Sequence, residues 1–484
     1  MAARTRRTKI VATIGPACDG RIGDLIAAGV DVFRLNLSHG TIDEHLARLA
    51  AIRAAATQAS RHIGVLADLP GPKVRSGQFP EGGASLRAGD PIVLVESEND
   101  PSTATRISVD YPGLANDVRS GDRIILGDGA IVLAVNDVAG LEVRATITTG
   151  GHLQGRPGVH LPAERLRLTA PTEEDLELVK HMVAADVDFI AVSFVRSGAD
   201  VDKVVAAVEA ASTDGRRPMV VAKIETSPAI TNLFSILQAT DAVMVARGDL
   251  GIECPLEDVP HLQKQVIRAC VAAGVPVITA TQMLESMITS PAPTRAEASD
   301  VANAVFDGTD ALMLSGETAI GHDPVAVVST MSRIAERAEQ SADYRQWGSH
   351  IGRIQRTSTS AEPGDITLAT THAGWQAANE VMAAAMLCCT RSGRTGRESA
   401  RFRPICPIIA LSPSHRALRQ LSLSWGVTPI EVATYSTTDE LVWFAVQATV
   451  ERGLVPSGSL VVVLAGAPDS NEGATDVLRI VRLR

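Results

Sequence analysis

Two short charged clusters, Lys223-Ile224-Glu225 and Arg247-Gly248-Asp249-Leu250-Gly251, each close a β-branched apolar run. The runs, residues 220–224 and 242–245, flank an apolar segment too long for a turn, so residues 220–253 predict strand, helix, strand. Polar groups at the carboxyl ends of consecutive parallel strands point into one mouth, where the active sites of α/β sheets and barrels lie. Two carboxylates, Glu225 and Asp249, beside the Lys223 ammonium suit a hard divalent cation, most simply magnesium, with the lysine set against a developing negative charge. A structural salt-bridge cluster at a barrel rim is the alternative reading of the same residues.

The elements that must position these groups follow from the apolar pattern. A strand beginning at Lys9 stops at Gly15-Pro16, and a helical stretch spans residues 22–28. A strand over 31–37 runs into Arg34-Leu35-Asn36-Leu37-Ser38-His39-Gly40, a helix covers 42–59, and a third strand over 63–69 carries Asp68 at its end. From residue 70 to about 168 the helical period gives way to short alternating runs (91–96, 106–109, 123–126, 131–135, 141–148) separated by Gly-Asp turn signals, which predicts an all-β insertion shaped as a small barrel. Pro70-Gly71-Pro72 and Arg156-Pro157-Gly158 read as its hinges. At Thr172-Glu173-Glu174-Asp175 a capping pattern opens a helix, and strands follow at 189–194, 220–224, 242–245, 276–280 and 311–314.

Together with the first three, these make eight βα units, the pattern of a (β/α)8 TIM barrel interrupted after its third strand by the β insertion. The competing fold, an open doubly wound sheet, calls for an early Gly-rich phosphate loop that the chain lacks. A helix over 324–340 and a poorly patterned connector over 341–365 lead to a C-terminal α/β domain. There we expect a helix at 373–384, strands at 386–390 and 408–411, a helix at 414–421 and a strand at 460–465. The expected domains are 1–70 with 169–340 (catalytic barrel), 71–168 (β-barrel lid) and 341–484 (regulatory), with no internal repeat beyond the βα rhythm.

Composition narrows the class. A chain of 484 residues exceeds one core, and 45% apolar with 21% charged residues is ordinary for a globular enzyme. A formal net charge of -10 argues against a nucleic-acid partner. Cys18, Cys254, Cys270, Cys388, Cys389 and Cys406 include no C-x-x-C pair or metal spacing and read as buried thiols of a reducing compartment. The basic N-terminus lacks the apolar run of a signal peptide and no run is long enough to span a membrane, so a cytoplasmic protein without a membrane partner is expected.

Across nearly its whole length the chain resembles the pyruvate kinases. The resemblance is carried by Thr8 to Pro16 (TKIVATIGP), the Arg34 to Gly40 run, Asp68 with Gly71-Pro72-Lys73-Val74-Arg75, Lys223-Ile224-Glu225 and Arg247 to Gly251. Thr279-Ala280-Thr281-Gln282-Met283 and the block from Pro293 to Thr318 complete it. Each motif is weak alone; their order and spacing together are specific. The resemblance implies transfer of a phosphoryl group from phosphoenolpyruvate to ADP, giving ATP and pyruvate, in a homotetramer. It implies Lys223, Arg34, Arg75 and Thr281 as catalytic residues, with substrate held by Arg34, Lys223, Gly248, Asp249, Thr281, Ser315 and Glu317. Nucleotide contacts fall on Asn36, His39, Arg75 and Arg156, and the magnesium ligands are Glu225 and Asp249, where manganese can substitute.

Two departures from the family pattern matter. In many members Asn36, Ser38, Asp68 and a following threonine ligate potassium, with a glutamate where Lys73 stands; here Leu69 replaces the threonine and Lys73 the glutamate. An ammonium there supplies the ion's charge, so the chain resembles the bacterial lysine-bearing branch, and potassium is not expected to be required. Pro157 stands where a nucleotide-contacting lysine is common, with Arg156 before it as the substitute, and Pro70 replaces a lysine or glutamine.

In the C-terminal domain Thr390, Ser392, Gly393, Arg394 and Thr395 resemble the family's loop for a phosphorylated allosteric effector, which the loop at 466–473 would close. Arg397 and Arg401 in the same segment also read as a solvated basic face. Two other functions share some of these features: a magnesium-dependent lyase or aldolase acting on pyruvate or its enolate, and a silent metabolite sensor. The first needs neither Arg34, Arg75 nor a lid over a nucleotide, and the intact Lys223, Glu225, Asp249 and Thr281 oppose the second.

Overall fold

The computed structural model describes residues 6–97, 99–127, 129, 131–161, 167, 169–212, 217–342, 344, 347, 365–434, 437–466 and 474–483. Eight parallel strands close into a barrel: Lys9–Thr13, Val32–Asn36, Gly64–Asp68, Phe189–Val192, Met219–Ile224, Ala242–Ala246, Val277–Ala280 and Ala311–Leu314, the first pairing with the second and the eighth. Their near-continuous apolar runs are what a sheet covered on both faces requires. Alternate residues divide between two layers. Val11, Val32, Leu66, Val221 and Met244 fill the barrel, while Ile10, Phe33, Val65 and Ala222 face the surrounding helices. Capping boxes open three of those helices, Ile42–Gln58 at Thr41, Glu173–Ala184 at Thr172 and Arg295–Asp307 at Thr294, each cap contributing about 1 kcal/mol.

The lower, amino-terminal end of the barrel carries a fourfold repeat that the βα rhythm alone did not reveal. Asp31, Asp188, Asp241 and Asp310 each immediately precede an even-numbered strand, and each carboxylate accepts the backbone N–H of a residue in the preceding odd strand: Ile10, Val65, Val220 and Val277, at 2.8 to 3.0 Å. Each aspartate N–H returns a bond to the carbonyl of that same residue. Every carboxylate is also paired with arginine: Asp31 with Arg6 and Arg61, Asp188 with Arg53 and Arg419, Asp241 with Arg217, and Asp310 with Arg403.

The insertion after the third strand is strand-rich and barrel-like, as expected. Its main sheet runs in the order Val159–His160, Arg123–Leu126, Ile131–Ala139, Glu142–Thr149, Pro91–Glu96, Arg106–Val109, beside a ribbon of Ala84–Leu86 with Gly151–Leu153. Phe79, Leu94, Ile124, Leu133 and Ile147 form its separate core. At residues 156–158, read from the sequence as the return hinge, Gly158 bridges Arg75 and Ser76 N–H donates to the Pro157 carbonyl at 2.9 Å, so the segments entering and leaving the domain run antiparallel.

The C-terminal domain is a five-stranded sheet in the order Val427–Glu431, Ile408–Ser412, Ala385–Cys389, Leu460–Ala465, Val477–Arg482, all parallel except the last. Its first helix is Ile366–Glu380, earlier than expected, because Asp365 caps it by accepting the Leu368 N–H at 3.0 Å while its Thr- and Ala-rich face hides the period. The strands Val427–Glu431 and Val477–Arg482 and the helix Thr438–Glu451 went unanticipated. Most of the connector at 341–365 and of the loop at 466–473 lies outside the described residues.

Candidate active site

The upper end of the barrel gathers the predicted groups because each follows directly on a strand. Lys223 is the penultimate residue of the fifth strand and Glu225 comes just after it; Asp68 ends the third, Arg34 lies in the second, and Gly248, Asp249 and Thr281 follow the sixth and seventh. The Lys223 ammonium lies 3.3 Å from Glu225 Oε2 and 3.5 Å from Asp68 Oδ1. Arg34 Nε donates to Asp68 Oδ2 at 2.7 Å and its Nη1 to Thr13 Oγ1 at 3.0 Å. Charges so close in a buried place reshape one another's ionisation. Burial opposes the charged form of Lys223, but Asp68, Glu225 and Asp249 outweigh it and hold the ammonium above its ordinary range. Burial pushes the Glu225 carboxyl up to about 7, against the pull of Lys223 and with the help of Asp249. For Asp68, burial works against ionisation, yet Lys223 and Arg34 keep its carboxyl below the usual range.

Three of the residues with left-handed backbone, Phe194, Thr281 and Gln282, lie at this end. Thr281 has φ +71 and Phe194 φ +56, conformations that bulky side chains rarely adopt and that cluster at functional sites. The Thr281 turn is braced by Arg247, which donates from Nε to the Ala280 carbonyl at 3.2 Å and from Nη2 to the Thr281 carbonyl at 2.6 Å while pairing with Asp300 at 2.7 Å. Arg247, a strand-end charge by sequence, is therefore turned inward as a brace. Thr281 Oγ1 accepts the Gly248 N–H at 2.8 Å and donates to the Ala280 carbonyl at 2.7 Å. The Phe194 N–H donates to Glu225 Oε1 at 2.5 Å, fixing that carboxylate. Glu317 is fully buried, with its oxygens on the Ser315 and Leu284 N–H groups at 2.6 and 3.1 Å, and so shapes the loops behind Thr281.

Between this mouth and the β insertion lies a cavity of about 390 Å³ lined by His39, Lys73, Arg75, Arg156, Thr226 and Asp249 among others. Burial, then the Lys73, Arg75 and Arg34 charges, holds the His39 imidazole below its ordinary value, so it faces the cavity neutral at pH 7. Arg75 Nη1 donates to the Arg156 carbonyl at 3.3 Å, and Arg156 Nε donates to the Ser76 carbonyl at 3.2 Å. Lys73 Nζ donates to Ser38 Oγ at 2.8 Å, and the Asn36 side chain accepts the Ser38 N–H at 3.3 Å. Leu69, next to Asp68, is buried with its N–H on the Ala191 carbonyl at 3.0 Å.

Whether the mouth fits a divalent ion is answered by its unsatisfied atoms. Glu225 Oε2 and Asp68 Oδ1 are buried and accept no hydrogen bond. Among the described residues no group of three His, Cys, Asp or Glu side chains forms a ready cage. A carboxylate pair, with remaining positions left to water and substrate oxygens, is the donor set magnesium uses in phosphoryl-transfer sites. The free oxygen of Glu225 fits such an ion, and the Asp249 charge acts on Glu225 from the wall of the adjoining cavity.

The expected effector loop stands at the head of helix Arg394–Ala400. Thr390 Oγ1 accepts the Gly393 N–H at 2.9 Å, Arg394 pairs with Asp365 at 2.9 Å, and buried Thr395 lies 2.7 Å from Thr475 Oγ1. Ser392 Oγ is at 3.5 Å from the Arg394 N–H. Arg401 is no solvated charge: it is buried, pairs with Glu398 at 2.9 Å and donates to the Ala272 carbonyl of the barrel.

A closed βα barrel with cationic side chains, two carboxylates and a lidded cavity at the carboxyl ends of its strands defines an enzyme for anionic, phosphate-bearing substrates. Family comparison makes this specific. The pyruvate kinase barrel-domain family matches residues 5–328 and the pyruvate kinase alpha/beta-domain family residues 368–481. A pyruvate kinase of Geobacillus stearothermophilus is 44% identical over 480 residues, covering 98% of this chain and 80% of that protein. One from Sporosarcina psychrophila is 42% identical over 483 residues with the same coverage. A crystal structure of a pyruvate kinase from Cryptosporidium parvum superposes with a TM-score of 0.91 at 32% identity, covering 99% of this chain and 97% of that one. The chain belongs to the pyruvate kinase family and is a phosphotransferase.

Proposed function

We propose that the protein transfers the phosphoryl group of phosphoenolpyruvate to ADP with magnesium, or manganese in its place, held by Glu225 and Asp249. The observation that carries the reading is the convergence of Arg34, Lys223, Glu225 and Asp68 within one buried charge cluster whose Glu225 and Asp68 oxygens lack hydrogen bonds. Phosphoryl transfer depends mainly on positioning and on neutralising the moving charge. Arg34 and Arg75 offer planar donor forks to phosphoryl oxygens. Lys223, kept protonated by its carboxylates, faces the transferring group and the enolate oxygen that the departing phosphoryl leaves behind. Gly248, Asp249 and Thr281 form the loop that holds the substrate carboxylate, the Gly248 N–H exchanging its bond to Thr281 Oγ1 for one to the substrate. When bound, the divalent ion adds positive charge across the phosphoryl oxygens.

Asn36, His39, Arg75 and Arg156 line the nucleotide side, under a lid formed by residues 71–168 that shields the reaction from water. Ser315 and Glu317 support Thr281 from behind; because the Thr281 hydroxyl proton is directed at the Ala280 carbonyl, the final proton to the enolate requires a water relay there. Lys73, whose ammonium reaches Ser38, supplies the charge that potassium brings to Asn36, Ser38 and Asp68 elsewhere, and turnover proceeds without potassium. A phosphorylated metabolite binds at Thr390, Ser392, Gly393, Arg394 and Thr395 and activates a cytoplasmic homotetramer serving the last step of glycolysis. The test is pyruvate formation from phosphoenolpyruvate in potassium-free buffer with magnesium. The rate is expected to require ADP and to change less than about twofold on adding potassium; ADP-independent product would favour a lyase, and no product a silent sensor.

A further inference from the structure

Ser193 follows the fourth barrel strand and is 2% exposed. Lys223 Nζ donates to its Oγ at 2.7 Å, and that hydroxyl donates to the Leu69 carbonyl at 2.7 Å. A hydroxyl has one proton, and an ammonium has no lone pair. With its proton committed to Leu69, Ser193 presents only lone pairs to Lys223, so the direction of both bonds is fixed.

The neighbouring distances show what this bond does. A charge-assisted N–H to carboxylate hydrogen bond settles at about 2.7–2.9 Å. Lys223 stands off from its carboxylates, at 3.3 Å from Glu225 Oε2 and 3.5 Å from Asp68 Oδ1, although both atoms accept no other hydrogen bond. The shortest contact of the ammonium is with the neutral hydroxyl instead. The next residue, Phe194, adopts φ +56 and gives its N–H to the other Glu225 oxygen. Gly71 closes the clamp from the hinge side: a Cβ there would lie 2.8 Å from both the Ser193 Cβ and the Phe194 ring.

We propose that Ser193 is a positioning residue for phosphoryl transfer, holding the Lys223 ammonium off Glu225 so that this carboxylate stays open to the divalent cation. The inference rests on the reading of Glu225 as a metal ligand given above. Removing the hydroxyl lets the ammonium close on Glu225, where it competes with the cation and leaves the path of the phosphoryl group. Ser193→Ala is expected to lower kcat roughly tenfold to a hundredfold, the loss of one hydrogen bond to a charged group, with KM for ADP within about twofold.

The decisive readout is Mn2+ affinity in the absence of substrates, followed by the electron paramagnetic signal of the free ion. Ser193→Ala should weaken it about tenfold in the wild-type background and leave it unchanged in a Lys223→Ala background, because no ammonium remains to close on the carboxylate. Equal weakening in both backgrounds, or none in the first, overturns the proposal. Ser193→Cys, which keeps volume but accepts hydrogen bonds poorly, gives the same comparison should the alanine variant not fold. Glu225→Gln separates the two levels. If it leaves Mn2+ affinity unchanged, the metal-site reading falls and the inference with it. If it weakens binding while Ser193→Ala does not, only the inference falls.

Discussion

The two ends of the barrel use the same vocabulary of buried acids and cations to opposite purposes. At the lower end Asp31, Asp188, Asp241 and Asp310 each satisfy a strand N–H and at least one arginine, and Asp188 and Asp310 are gripped from the C-terminal domain by Arg419 and Arg403. At the upper end Glu225 and Asp68 keep oxygens without hydrogen bonds, and Lys223 stands away from its carboxylates. A buried carboxylate whose oxygens are all used is structural; one with an oxygen to spare is poised for a ligand. The difference makes stability a property of the lower ring and chemistry a property of the upper one.

Single substitutions can separate the two. Lys223→Ala at the upper end should reduce ADP-dependent turnover by on the order of 10³ or more, because a preorganised charge facing the transferring group is lost. Its thermal midpoint should move by only a few degrees, since Glu225, with its carboxyl already raised to about 7, can take up a proton in place of its lost partner. Asp310→Ala at the lower end should do the reverse. It strands Arg403, which is 1% exposed, together with the Val277 and Trp425 N–H groups, at a cost of about 3 kcal/mol seen as a lowered unfolding midpoint. Turnover per folded molecule should stay near that of the wild type; a collapse of kcat in the folded fraction would blur the division between the ends.

A smaller effect sharpens the reading of the upper end. Lys73→Glu should lower turnover about tenfold in potassium-free buffer and recover most of it when potassium is added. A variant equally slow with and without the ion would mean that Lys73 does something other than supply charge.

The smallest effect is a pH dependence at the lower end. Burial opposes ionisation of Asp186, but its hydrogen bond to Arg416 and the charges of Arg419, Arg416 and Arg53 outweigh it, so its folded pKa lies below the unfolded value. The stability this group contributes is present above the unfolded value near 4 and is lost as pH falls through the folded one. Because Asp186 is half exposed, the loss should stay below about 1 kcal/mol, and the difference between wild type and Asp186→Asn should vanish in acid. A difference that persists below pH 3 would assign the effect to packing.

What could be read from the sequence divides along the same line. The eight strands, the all-β insertion and the catalytic clusters were legible because short continuous apolar runs ending in charge, and the alternating runs of the insertion, are local patterns. Lys223, Glu225, Asp249 and Thr281 lie immediately at such ends. The lower ring was invisible although its signal was present: the dipeptides Asp31-Val32, Asp188-Phe189, Asp241-Ala242 and Asp310-Ala311 recur at alternate strands, but each bonds a partner 21 to 123 residues upstream. Ser193 escaped for a similar reason, since its partners Leu69 and Lys223 meet it only when three strands close into one mouth. Arg247, by sequence only a charge at a strand end, is spent on the backbone of Thr281. In the C-terminal domain the helix Thr438–Glu451 went unread although the Thr437–Glu440 capping pattern that opens it stands in the sequence.

Glu225, with one oxygen bound by the Phe194 N–H and the other without a hydrogen bond, is held ready for a divalent cation. This readiness is tested most directly by titrating magnesium against the rate of ADP-dependent pyruvate formation for the wild type and Glu225→Gln. The half-saturating magnesium concentration is predicted to rise at least about tenfold in the variant. An unchanged midpoint, with turnover intact, would contradict it.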